Sequence, residues 1–129
     1  WGEQYPSMTE MLPAFKDHAE QGANLLGRRV RCLEGCPPSS MTESLELSSI
    51  PATDGALHQR ACAKMLREAL TRLLQQEREV LAVAQHAGDE VTAREITTLI
   101  QFQEEALWML RSSLRRTAFE TQYLSGDSA

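Results

Sequence analysis

Apolar residues recur at near-helical spacing along most of the 129-residue chain, and nowhere do they alternate as in a strand. The first periodic stretch runs from about Ser7 to Leu33. Its apolar set is Met8, Met11, Leu12, Phe15, Ala19, Ala23, Leu26, Val30 and Leu33, near one face. Ser7, followed three residues on by Glu10, predicts a capping box at its start. Pro13 falls in the second turn and either bends the helix or marks its true beginning. Gly35 and the pair Pro37-Pro38 stop it.

The stretch "SSMTESLELSS" predicts a short helix, capped at Ser40 or Thr42 and closed before Pro51. A third helix is expected from about Ala56 to Ala87, with Cys62, Met65, Leu66, Ala69, Leu70, Leu73, Leu74, Leu81 and Ala84 on its core stripe. Gly88 ends it, and Asp89 caps the next helix at once. That fourth helix spans Gly88 to Arg116 and carries Val91, Ile96, Leu99, Ile100, Leu107, Leu110 and Leu114. Gln103 falls on its stripe, with Glu104 and Glu105 beside it. The polar run "ETQYLSGDSA" after Phe119 reads as a frayed tail.

The fold class is therefore all-α. The short Gly88-Asp89 link forces the third and fourth helices to run antiparallel. Each long helix has about 25 to 32 residues, or roughly 40 to 48 Å at 1.5 Å per residue. Three such amphipathic helices make an incomplete bundle, since the usual solution is four. The chain begins at Trp1 rather than Met. The partner helix is expected before Trp1 or from another chain. Residues 1–120 form one expected domain and 121–129 a flexible tail.

Composition narrows the function. The chain is 42% hydrophobic but only 5% aromatic, which suits helices packed through Leu, Met and Ala. Its net charge of −5 repels phosphate, so nucleic-acid binding through the folded body is disfavoured. Basic residues cluster in "GRRVR" (Gly27 to Arg31) and "RSSLRR" (Arg111 to Arg116), where they read as charge compensating helix C-termini. Cys32, Cys36 and Cys62 are too few for a secreted disulfide scaffold, and Cys32-x3-Cys36 lacks the second pair of a metal site. With no signal peptide and no apolar run long enough to cross a bilayer, reduced thiols in a cytoplasmic protein are expected.

Candidate chemistry inside the bundle is sparse. A di-iron site there wants Glu-x-x-His pairs on two helices, and the chain has none. Glu77 and Gln103 lie on or near their stripes, and one hydrogen-bonded buried pair accounts for them. His18, His58 and His86 are scattered, with His58 near a helix start and His86 near a helix end. Trp108 and Met109 are assigned to core or to a subunit contact. Gly22 and Gly27 lie within a helix, where another helix can approach closely. No nucleophilic triad and no phosphate-binding loop is present.

Several motifs carry a resemblance. "GDEVTAREITTLIQFQEEALWMLRSSL" resembles the last helix of the Dps family, the starvation-induced mini-ferritins: a Gly-Asp turn, a Thr, a Leu-rich stripe and a terminal Trp-Met-Leu. "GRRVRCLEGCPPSSMTESLELSSIP" resembles the family's Ala-Glu-Arg-Ile, Leu-Gly and Pro-x-Ser, then a short Glu-containing helix and a Ser-x-Ile end. "WGEQYPSMTEML" resembles the Gly-Pro-x-Phe-x-x-Leu-His-Glu that opens the family's second helix. The resemblance covers Gly2 to about Leu114. It implies a ferritin-like four-helix bundle with a short helix between the second and third long ones, in which the first long helix is the absent one, and a hollow shell of twelve subunits.

Family members oxidise ferrous iron between two subunits. Their ligands are a His near the end of the first helix, a His at the start of the second, and an Asp and a Glu four residues apart further along it. Carried over by motif, the second His falls on Thr9, the Asp on Asn24 and the Glu on Arg28. Thr and Asn are weak iron ligands, and Arg28 places a fixed cation where the metal would sit. Repulsion between unit charges at 4 Å is about 4 kcal/mol at an effective dielectric near 20. Asp89, Glu90 and Glu95 are possible pore residues for iron entry, although Arg94 stands where the family has an Asp.

The expectation is a Dps-like shell subunit, homo-oligomeric or co-assembled with a paralogue, with its inter-subunit ferroxidase site lost and a structural or iron-storage role. No cofactor and no membrane partner is expected. One alternative is an active mini-ferritin that takes iron at a non-standard site using residues such as His18, Glu20 or Glu77. The other is a helical interaction domain of a longer protein. The C-terminal tail has no Lys or Arg after Arg116 to serve a basic DNA-binding arm.

Overall fold

The computed structural model describes residues 7–53 and 58–126. Four helices follow one another: α1 (Met8–Cys32), α2 (Met41–Leu47), α3 (Gln59–His86) and α4 (Glu90–Gly126). No strand occurs among the described residues. The long-short-long-long order is the expected one. The expected start of the third helix, at Ala56, lies outside the described residues; His58 occupies the N-cap of α3 without a side-chain capping bond.

The ends of α1 follow from local chemistry. Ser7 Oγ accepts the Glu10 N–H at 3.4 Å, and Glu10 Oε2 accepts the Ser7 N–H at 2.8 Å, completing the capping box. Pro13 sits inside α1 rather than at its start. Its missing N–H forgoes the bond to the Thr9 carbonyl, on an exposed residue, and the capped turn upstream stays helical. At the other end Glu34, not a glycine, takes the left-handed conformation with φ +64. The Glu34 N–H donates to Arg31 O and the Gly35 N–H to Val30 O, both at 2.9 Å, the paired bonds of a Schellman turn. Gly35 serves instead as a close-approach residue, because a Cβ there would lie 2.9 Å from Val30 Cγ1.

The α3–α4 turn uses the same motif with glycine in place. Gly88 has φ +71, and the Asp89 N–H reaches Ala84 O at 2.9 Å. Asp89 Oδ1 then accepts the Thr92 N–H at 3.1 Å and caps α4. The two helices fold back as an antiparallel pair, and α1 lies against α4. There a Cβ on Gly22 would stand 3.3 Å from Leu99 Cδ2, so Gly22 permits the approach that its position in the helix implied. Gly27 does not, since its nearest neighbour is Pro37.

The core joins Met8, Met11 and Phe15 of α1 to Ala63, Leu70 and Leu74 of α3 and to the Ile96–Leu110 stripe of α4, with Ile96 and Leu110 fully buried. Ala19, Ala23, Leu12 and Leu33 are exposed, so the expected α1 stripe is wider than the face it buries. Leu12 lines a groove of about 430 Å³ with Ile50, Cys62, Met65, Leu66 and Ala69. Helix α2 is capped at Ser40 rather than Thr42 and buries nothing. The segment after it is tied to α3 by Arg72, which donates to the Ser49 carbonyl.

Two expectations about α4 are corrected. The helix does not end at Arg116 but continues to Gly126. Arg116 pairs with Glu120 one turn on, at 3.7 Å, and Thr121 Oγ1 donates to Thr117 O at 2.8 Å. As a result "RSSLRR" lies in mid-helix and does not compensate a C-terminal dipole. Arg29 and Arg31, by contrast, do occupy the last turn of α1. No described helix is long and apolar enough to cross a membrane.

Candidate functional site

Thr9, Asn24 and Arg28 are all exposed on α1. Asn24 and Arg28 are four residues apart and share a face, so the guanidinium stands one turn from the amide. Glu20 is exposed on the same helix. Among the described residues no three of His, Cys, Asp and Glu gather closely enough to hold a metal ion. Cys32 and Cys36 are exposed, Cys62 is half-buried, and none forms a disulfide.

The three acidic residues at the start of α4 do different things. Glu90 is exposed and Glu95 half-buried, while Asp89 is engaged within the chain. Besides capping Thr92, the Asp89 carboxylate pairs with Arg29 at 2.9 Å and accepts the Thr92 hydroxyl. Arg29 Nε also donates to Thr92 Oγ1 at 2.7 Å. The hydrogen bonds from the Thr92 side chain and backbone, helped by Arg29, hold the Asp89 carboxyl below the usual carboxylate range. The arginine one residue past Arg28 is thus the one that locks α1 to the α3–α4 turn.

Deeper in the bundle, Gln103 Nε2 donates to Glu77 Oε1 at 2.8 Å, the pair anticipated from the two stripes. Both residues are at most 5% exposed. Burial pushes the Glu77 carboxyl upward, and the Gln103 hydrogen bond opposes this. Glu77 Oε2 and Gln103 Oε1 have no hydrogen-bond partner. His18, on α1, stacks on Phe102 with ring centroids 3.6 Å apart, and its buried Nε2 is also unpartnered. Desolvation lowers the His18 pKa. The stacked pair escaped sequence reasoning although His18 continues the buried seam of Met8, Met11, Phe15 and Gly22 at three-four spacing, the signal that could have placed it. The docking of α1 on α4 brings it to Phe102.

Trp108 is not core. It is 54% exposed and lines a groove between α3 and α4 that the sequence reading missed. Met109, its neighbour, packs on the core as expected.

With this geometry in place, the chain can be set beside known proteins. No family model matches it. It is 30% identical over 88 residues to an uncharacterized protein of Haemophilus influenzae, covering 68% of this chain and 55% of that one. It is 29% identical over 112 residues to the DNA protection during starvation protein of Porphyromonas gingivalis, covering 84% and 64%. The chain therefore spans less than two thirds of the length of these curated relatives. Among solved structures it matches the crystal structure of antigen TpF1 from Treponema pallidum with a TM-score of 0.79, at 24% identity, over 81% of this chain and 68% of that one. The chain has a ferritin-like fold. This ferritin-like chain keeps the short helix between long ones, while α1 carries neither a His nor a carboxylate at positions 9, 24 and 28.

Proposed function

We propose that the chain is a subunit of a Dps-like, ferritin-fold shell whose inter-subunit ferroxidase site no longer works, leaving a structural or iron-storage role. What carries the reading is Arg28. It is exposed on α1 at the position where the resemblance places a glutamate ligand, one turn from Asn24. A ferrous ion brought to this face meets the Arg28 cation and the Asn24 amide, with Glu20 the nearest carboxylate along the helix. Thr9, fifteen residues from Asn24 or about 22 Å away on α1, could reach it only from another subunit. The likeness to the Porphyromonas gingivalis protein supports a role in the same broad setting.

Aerobic oxidation of ferrous salt, followed by near-ultraviolet absorbance, should proceed at the protein-free rate. The triple variant Thr9→His, Asn24→Asp, Arg28→Glu should accelerate it if the shell assembles. Light scattering should report a large closed oligomer. A monomer or dimer would instead favour a helical interaction domain of a longer protein.

One observation favours a second reading, iron oxidation at a non-standard site. His18 Nε2, Glu77 Oε2 and Gln103 Oε1 are buried without hydrogen-bond partners, and buried polar atoms left unsatisfied are few in native proteins. If wild-type protein oxidises iron and Glu77→Gln abolishes the activity while keeping the fold, this second reading replaces the first.

A further inference from the structure

A groove of about 1050 Å³ runs between α3 and α4. Its rims carry Arg60, Lys64, Arg67 and Arg78 from α3 and Arg111 and Arg115 from α4. On α3 these positions, with Thr71 and Gln75, repeat every three or four residues, so they form one stripe about 27 Å long at 1.5 Å per residue. The α4 residues face them from the opposite wall because the helices are antiparallel. The one carboxylate in the groove, Glu104, is paired with Arg78. Leu74, Leu107 and Leu114 line the floor, and Trp108 stands among the cations.

The charge distribution is lopsided. Among the described residues, six of the thirteen Lys and Arg line this groove, while fourteen of the fifteen carboxylates lie elsewhere. The other described residues therefore carry about −7 (seven cations against fourteen carboxylates), and the groove is a cationic slot in an anionic body. Like charges three and four residues apart, as at Arg60–Lys64–Arg67 and Arg111–Arg115, repel one another on a helix. An anion lying in the slot relieves that repulsion. Five of the six cations are arginine, whose planar fork suits phosphate oxygens.

We propose that this groove binds linear inorganic polyphosphate. The cations form two facing rows along one α3–α4 seam, a single line about 27 Å long that matches one linear chain of phosphates. Single-stranded nucleic acid is held on successive aromatic platforms, and among the described residues Trp108 is the sole aromatic lining the slot. Polyphosphate keeps all its charge within the slot. This inference is independent of the fate of the iron site.

The test is titration of the full chain with polyphosphate of defined length, read by calorimetry and tryptophan fluorescence. Saturable binding is expected at about 50 mM salt, weakening on the order of 100-fold by 200 mM as about five contacts are screened. Trp108→Phe should remove the fluorescence change without removing the heat, since Trp1 is the chain's other tryptophan. Arg67→Glu with Arg111→Glu should weaken binding at least tenfold, while the control Arg31→Glu with Arg94→Glu should change it less than twofold. If the glutamate pair lowers the helical content, Arg67→Gln with Arg111→Gln should shift affinity in the same direction. Equal losses in groove and control variants, equal binding of polyglutamate, tighter binding of single-stranded or duplex DNA at matched phosphate concentration, or no binding at low salt would each overturn the proposal.

Discussion

Gln103→Leu isolates the polar contact at the centre of the bundle. The substitution removes the amide that donates to Glu77 Oε1 at 2.8 Å, and both side chains are almost wholly buried. Glu77 is left with two unpartnered oxygens. A buried acceptor left unmade costs about 1–3 kcal/mol, with an ionised one near the upper end. The expected loss at neutral pH is therefore about 2 kcal/mol, or roughly 6–10 °C in Tm for a chain of this size. Adding Glu77→Leu should restore most of it, because replacing both members of a buried polar pair by apolar groups is close to neutral.

The pH dependence gives an independent check on the same pair. Burial raises the Glu77 carboxyl above its ordinary 4.5, so the folded state keeps this proton where the unfolded chain has released it. The contribution is fully present below the unfolded value and is lost as pH rises through the folded one. Gln103→Leu should thus cost less at pH 5 than at pH 7.5, and the double variant should not show that difference. Urea unfolding followed by far-ultraviolet circular dichroism measures all four proteins of the cycle. If the double variant loses the sum of the single losses, the two groups do not meet and the core assignment is wrong.

Three further outcomes follow from the caps and the buried histidine. Glu34→Gly should stabilise by about 1 kcal/mol, since a non-glycine residue at φ +64 is strained, while Gly35→Ala should destabilise by about 1–3 kcal/mol against Val30; thermal melts check both. Asp89→Asn should flatten the acid limb of the Tm–pH curve, because a carboxyl held low by Thr92 and Arg29 adds stability above its unfolded pKa that is lost as pH falls through the folded one. His18→Phe should keep the stack on Phe102 and remove a loss of stability on acidification; the buried imidazole is desolvated, so its contribution is complete above 6.5 and declines as pH falls through the folded pKa.

Where local chemistry decides, the fold was legible in the sequence. Ser7 and Glu10 announced a capping box and made one, and Gly88-Asp89 ended one helix and capped the next. Glu77 and Gln103 were legible as a pair because each is a polar interruption of an apolar stripe, and antiparallel stripes meet. The end of α1 was legible only in outline. Glycine is the expected left-handed residue, yet Glu34 takes that role and Gly35 is kept small by Val30. The reach of α4 to Gly126 was missed because residues 115–123 are all exposed. Local bonds such as Ser112 Oγ to Trp108 O, at 2.9 Å, leave no hydrophobic period to read.

The basic groove shows why one kind of site resists sequence reading. On α3 alone, Arg60, Lys64, Arg67 and Arg78 look like a solvated helix face, and "RSSLRR" looks like charge at a helix end. Neither cluster outweighs a net charge of −5. Only the turn at Gly88 sets the register that places Arg111 and Arg115 opposite the first half of α3 and Glu104 beside Arg78. The same turn is locked to α1 by Arg29 through Asp89 and Thr92. Loosening the lock with Arg29→Met should therefore weaken polyphosphate binding if the register of α3 and α4 depends on the turn. If that register is held by the buried Leu70, Leu74, Leu107 and Leu110 alone, binding should survive and only the docking of α1 should suffer. The second outcome would make the α3–α4 hairpin the smallest unit able to carry the groove.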